Sequence, residues 1–122
     1  MQLLIIGALD GQVGAASQIA MQRGARVSQV HTVDSALDVL RSGQGADLVM
    51  IDVVYDVKSL VDRLASERIT VPVVACGIGT DAQAAVKAIR AGAKEYIPLP
   101  PDADLIAAVL AAVTEESHTI VF

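Results

Sequence analysis

Asp47-Leu48-Val49-Met50-Ile51-Asp52 is an apolar run opened and closed by carboxylates. Four consecutive apolar residues between turn-like flanks read as a strand buried on both faces, as in a parallel sheet covered by helices. The strand delivers Asp52 to the carboxyl edge of that sheet, where ligands and chemistry usually gather in open α/β folds. What this chain does therefore depends on what the other strand ends bring to Asp52.

Outward from this run, the chain alternates. Leu3 to Ile6 reads as a first buried strand broken by Gly7, and a helix follows on Val13, Ala16, Ile19, Ala20 and Arg23 with Gly24 as terminator. Ala25 to Val30 gives a weaker second strand. Thr32 caps a second helix on Val33, Ala36, Leu37 and Leu40, which Ser42-Gly43 stops. After the central strand, Val57, Leu60, Val61 and Leu64 form a third helical stripe. Val71 to Cys76 is the fourth strand, with Pro72 at its start. Thr80 caps a fourth helix on Ala82, Ala85, Val86 and Ile89, closed by Gly92. Lys94 to Ile97 is the fifth strand, stopped by Pro98-Leu99-Pro100-Pro101. Asp102 and Asp104 sit at the positive end of a last helix whose stripe is Leu105, Ile106, Val109, Leu110 and Val113. Five strict β–α alternations predict an α/β fold, a flavodoxin-like (βα)5 three-layer sandwich with a parallel five-stranded sheet.

Composition narrows the function. The 122 residues, 53% hydrophobic, make one domain over 1–122 with a core of Ala, Val, Ile and Leu, since aromatics are only 2%. A net charge of -5 argues against nucleic-acid binding, which needs clustered Lys and Arg. The single cysteine, Cys76, fits a reducing cytosol, and no run is long enough for a signal peptide or membrane span. A cytoplasmic domain is expected. Thr119-Ile120-Val121-Phe122 is apolar and strand-like, an end that looks cut from a longer protein.

Rival chemistries are weak. Gly7, Gly11 and Gly14 follow a strand but are spaced G-x-x-x-G-x-x-G, and the second strand ends at Val30-His31-Thr32 without a ribose-binding acid. Cys76 has no basic neighbour to activate it, and His31 and His118 stand apart from any metal-ligand spacing.

Asp52, Val71-Pro72-Val73-Val74 and Ile89-Arg90-Ala91-Gly92-Ala93-Lys94-Glu95-Tyr96-Ile97-Pro98-Leu99-Pro100 resemble a response-regulator receiver domain over nearly the whole chain. The resemblance implies the CheY-like strand order 2-1-3-4-5, with Asp52 as phosphoacceptor. It further implies an acidic pair after the first strand for Mg²⁺, a hydroxyl residue after the fourth that contacts the phosphoryl group, and a lysine before the fifth-strand proline. Here those places hold Gly7 and Ala8, Gly77, and Leu99. Mg²⁺ is usually held by one or two carboxylates plus phosphate oxygens. A phosphoryl group adds roughly -1.5 to -2 charge. With only Asp52 left, no bound Mg²⁺ and no other cofactor is expected, and Asp52 reads as a vestigial phosphoacceptor serving local hydrogen bonds. Asp10 and Asp56, the two acids that could replace the lost ligands, read as solvated loop acids. The alternative is a working phosphorelay receiver phosphorylated at Asp52.

Tyr96 matches the family's rotating aromatic, which turns inward when the phosphorylated site draws the hydroxyl residue toward it. With Gly77 there, the coupling is expected to be broken, leaving Tyr96 with its ring packed and its hydroxyl in water. The family's usual contact surface makes Tyr96, Arg90, Lys94 and Glu95 the switch or contact candidates. Ala88, Ala91, Ala108 and Ala111 are expected to be exposed, small enough for close helix contact. The Gly11-Gln12 turn, Arg41 to Leu48, Val71 to Gly77 and Gly92 to Asp102 are similar to the atypical receivers of FlbD-type flagellar sigma-54-dependent transcription activators. That likeness implies a following ATPase and a DNA-binding domain. It also implies a non-catalytic role through protein contacts: with those domains, with a second copy, or with a FliX-type flagellar assembly regulator.

Overall fold

The fold is that of a computed structural model, which describes residues 2–7, 11–42, 45–78, 82–100 and 102–118, with the side chains of 11–12 and 113–118 left out of the description. The elements run β1(Gln2–Ile6), α1(Gly11–Gln22), β2(Arg26–Val30), α2(Val33–Arg41), β3(Leu48–Asp52), α3(Val57–Ser66), β4(Val73–Ile78), α4(Ala82–Arg90), β5(Glu95–Leu99) and α5(Ala103–His118). All strand pairs are parallel, in the order β2-β1-β3-β4-β5. The expected sandwich and its strand order are both present.

The three central strands are apolar almost throughout because both of their faces are covered. Leu3, Ile5, Leu48, Met50, Val74, Cys76, Ile97 and Leu99 pack with α1 and α5. Leu4, Ile6, Val49, Ile51, Val73 and Ala75 pack on the other side with α2, α3 and α4. Each fully buried Leu or Ile contributes about 1.5–3 kcal/mol relative to leaving it in water. This two-sided core holds the carboxyl ends of β1, β3 and β4 in fixed register, Ile6 beside Ile51 and Asp52 beside Cys76.

Local chemistry sets the helix ends. Thr32 caps α2 by accepting from the Ser35 amide at 3.0 Å. Asp56 caps α3 by accepting from the Ser59 amide at 3.0 Å. Asp102 accepts from the Asp104 amide at 2.8 Å at the start of α5. The ends of α2 and α3 are tied together by Arg41, which grips Glu67 with two hydrogen bonds at 2.5 and 2.6 Å, and by an ion pair of Arg63 with Asp34.

Four expectations need correction. The fourth strand begins at Val73, and Pro72, outside it, offers its carbonyl to the Val49 amide at 3.0 Å. Pro98 does not stop the fifth strand. It lies within β5, an edge strand of the sheet, where a missing N–H is tolerated. Arg23 lies beyond the end of α1 and is exposed. In α4 the expected stripe is not the core face: Val86 and Ile89 are 48% and 46% exposed, while Ala88 is buried and Ala91, just past the helix, is half-buried. Ala88 lies in the sheet-facing cluster with Ala75 and Ala93. Ala108 and Ala111 are exposed as expected. The Thr80 cap, Val113 and the 119–122 run lie outside the described residues or side chains.

Candidate functional site at the carboxyl edge of the sheet

Asp52, the last residue of β3, is half-buried. Its Oδ1 accepts a hydrogen bond from the Val54 amide at 3.0 Å, and its carbonyl accepts from the Tyr55 amide at 3.0 Å. The carboxylate thus fixes the turn that carries the chain from β3 to α3. Asp56 is an exposed loop acid, as expected, and it also caps α3. Asp10 and Ala8 lie outside the described residues.

Gly7, next to Asp52 across the edge, is buried with φ +148°, a backbone state that a residue with a side chain rarely adopts. A Cβ at Gly7 would stand 3.7 Å from the Asp52 Cβ and 3.8 Å from the Tyr55 ring. Tyr55, half-buried, therefore borders the space on that side of Asp52.

Gly77, one residue past the Cys76 that pairs with Asp52, is also buried, but its backbone is ordinary. A Cβ there would lie 2.5 Å from the Tyr96 hydroxyl oxygen and 2.7 Å from Val53 Cγ2, closer than real atoms pack. Tyr96 is half-buried and its hydroxyl oxygen is buried. The expectation of a solvent-facing hydroxyl is overturned: the ring is turned inward, over the bare α-carbon of Gly77. No periodicity could reveal this contact, since the two residues meet only through the β4–β5 pairing.

Leu99 pairs with Ile78 at the end of β5 and is 2% exposed within the cluster of Ile97 and Ile106. Cys76 is fully buried, and burial pushes its thiol up to about 12, with the Asp52 carboxylate adding to the effect. A thiol held protonated at neutral pH is a poor nucleophile. Among the described residues no three of His, Cys, Asp and Glu gather closely enough to hold a metal ion.

The contact candidates Arg90, Lys94 and Glu95 are all exposed, around the end of α4 and the start of β5. Residues missed in the sequence lie nearer the edge. Val54 is 82% exposed and Ile78 76% exposed, and both lie within two residues of Asp52 or Gly77. A groove of about 590 Å³ runs between the β3–α3 turn and α4, with Val54, Lys58, Lys87 and Ala91 on its walls. Their signal was a hydrophobic residue at a strand end, which reads equally well as core. Among the described residues no helix is long and apolar enough to cross a membrane.

No protein-family model matches the chain. It is 54% identical over 121 residues to the transcriptional regulatory protein FlbD of Caulobacter vibrioides, a match covering 99% of this chain and 27% of that protein. The chain thus spans about a quarter of the length of this relative. The fold is shared with NtrX of Brucella abortus (TM-score 0.81, 26% identity, 97% of this chain and 26% of that one). The NtrX receiver domain alone superposes with TM-score 0.77 at 24% identity, over 94% of this chain and 98% of that one. A response regulator described as putative, from Chloroflexus aurantiacus, gives TM-score 0.82 at 20% identity, over 92% and 95%. Strand order, strand-end acid and these likenesses define a response-regulator receiver domain. Within that class the sequence likeness is to FlbD, over about a quarter of that protein's length.

Proposed function

We propose that this receiver is a non-catalytic regulatory module of a sigma-54-dependent flagellar transcription regulator, set by protein contact and not by phosphorylation of Asp52. The observation that carries the reading is the filling of the carboxyl edge. Around Asp52, a glycine of restricted backbone (Gly7), a glycine covered by a tyrosine (Gly77) and a buried leucine (Leu99) stand where charge-handling groups would be needed. Phosphoryl transfer is mostly positioning and charge stabilisation, so a site without those groups loses most of its catalysis. The two described acids near the edge already serve the backbone, Asp52 accepting from the Val54 amide and Asp56 from the Ser59 amide, which supports a site that holds no Mg²⁺. The FlbD relative, a transcriptional regulatory protein, supports the regulatory setting. In that setting the domain contacts the remainder of a longer chain, a second copy, or a flagellar assembly regulator, and it contacts neither nucleic acid nor membrane.

The phosphorelay reading draws on one observation, the half-exposed placement of Asp52 at the strand end. Intact mass separates the two. Incubated with Mg²⁺ and a small-molecule phosphodonor, the chain is expected to keep its mass. A stable phosphate adduct that Asp52→Ala abolishes would return phosphorylation to first place.

A further inference from the structure

Gly77 needs no glycine for its backbone, because its φ is ordinary. It needs one for space. The Tyr96 hydroxyl oxygen lies where the first side-chain atom of any other residue would begin, and Val53 closes the same space from the β3–α3 turn. Tyr96 stands on β5, an edge strand, half-buried and with its hydroxyl end inside, so a swing outward would carry it toward solvent. With a Cβ at residue 77, the Tyr96 hydroxyl end and Val53 would have to give way. With glycine, the inward course buries the phenol against β4 and the turn. Burial of an aromatic ring then favours the inward state.

We propose that Gly77 and Tyr96 form a steric lock: the bare α-carbon of residue 77 holds the Tyr96 ring inward whatever the state of Asp52. The lock deepens the proposed reading of this domain as a pseudo-receiver, a receiver fold set by protein contact and not by phosphorylation, on which its regulatory meaning rests. It fixes the Tyr96 side chain on β5, the strand that packs beside α4, in one arrangement. In geometry it depends on the room at residue 77, which Val53 bounds from the β3–α3 turn. Tyr96 is thus a positioning residue, and Gly77 is the position that selects its course.

The chain has only two tyrosines and no tryptophan, which makes the test direct. With fluorotyrosine incorporated, two ¹⁹F signals appear, and Tyr55→Phe assigns them. In the unmodified sequence the Tyr96 signal is expected to resist broadening by a soluble paramagnetic probe, and Asp52→Ala is expected to leave it so. Gly77→Ala should shift that signal and expose it to the probe. A Tyr96 signal open to the probe in the unmodified sequence would overturn the lock, as would one still shielded in Gly77→Ala. If Gly77→Ala does not fold, Gly77→Ala with Tyr96→Leu should fold again; failure of that pair would also overturn the lock. Addition of Mg²⁺ and phosphodonor separates the two proposals. A phosphate adduct with an unmoved Tyr96 signal sinks the pseudo-receiver reading and supports the lock, while an adduct that moves the signal sinks both.

Discussion

Gly7 and Gly77 stand at the ends of β1 and β4, one on each side of Asp52, and each lies near a tyrosine. Their constraints differ in kind. At Gly7 the backbone is restrictive, with φ +148°, while the nearest atoms to an added Cβ sit at ordinary contact distances of 3.7 and 3.8 Å. At Gly77 the backbone is ordinary and the space is closed, with the Tyr96 hydroxyl at 2.5 Å. The first restriction is written into the turn that leaves β1. The second lies in a ring that can swing away. Putting back an acid at residue 7 would thus require the main chain to move, whereas a hydroxyl residue at 77 requires only that a side chain rotate.

The largest cost on this edge is expected at the position that belongs wholly to the core. Leu99→Ala should cost about 2–5 kcal/mol in urea unfolding, the usual range for a buried leucine. A cost near zero would mean that the end of β5 is open to solvent. Next comes Gly7→Ala, where backbone strain should cost about 1–3 kcal/mol without any steric overlap. If it proves neutral, the positive φ does not describe the turn in solution. Gly77→Ala should cost less, about 1 kcal/mol, because Tyr96 yields. A larger loss at 77 than at 7 would reverse the ordering of the two constraints.

The smallest effect lies away from the edge. Its hydrogen bonds with Arg41 hold the Glu67 carboxyl below its ordinary pKa. A depressed folded-state pKa contributes stability above the unfolded value, and that contribution disappears as pH falls through the folded one. Wild type should therefore lose slightly more stability than Glu67→Gln between neutral pH and pH values below the ordinary Glu range. The pair is exposed and salt-screened, so the difference should be small and shrink further in high salt. A difference that grows with salt would contradict this account of the α2–α3 tie.

Much of the architecture was legible because it rests on local rules. The run Leu48 to Ile51, the stripes of α2 and α3, the cap at Thr32 and the placement of Asp102 at the start of α5 each follow from spacing or side-chain chemistry within a few residues. The face of α4 was not legible. In a helix made largely of alanine, Val86 and Ile89 dominate any hydrophobic pattern, yet it is Ala88 that turns to the sheet. Pro98 misled for a related reason: its tolerance depends on β5 being an edge, a property of the assembled sheet. At the site, the identities of Gly7, Gly77 and Leu99 could be aligned with a family pattern. That Gly77 serves to admit Tyr96 could not, because strand pairing brings together residues 19 positions apart in sequence.

The most direct measurement is an amide NMR titration of the chain with Mg²⁺ and beryllium fluoride, a mimic of a phosphorylated carboxylate. The account predicts no saturable shifts at Asp52, Val53, Val54, Gly77 or Tyr96. Saturable shifts centred on Asp52 that Asp52→Ala removes would contradict it, and would mean that this edge still binds a phosphoryl group.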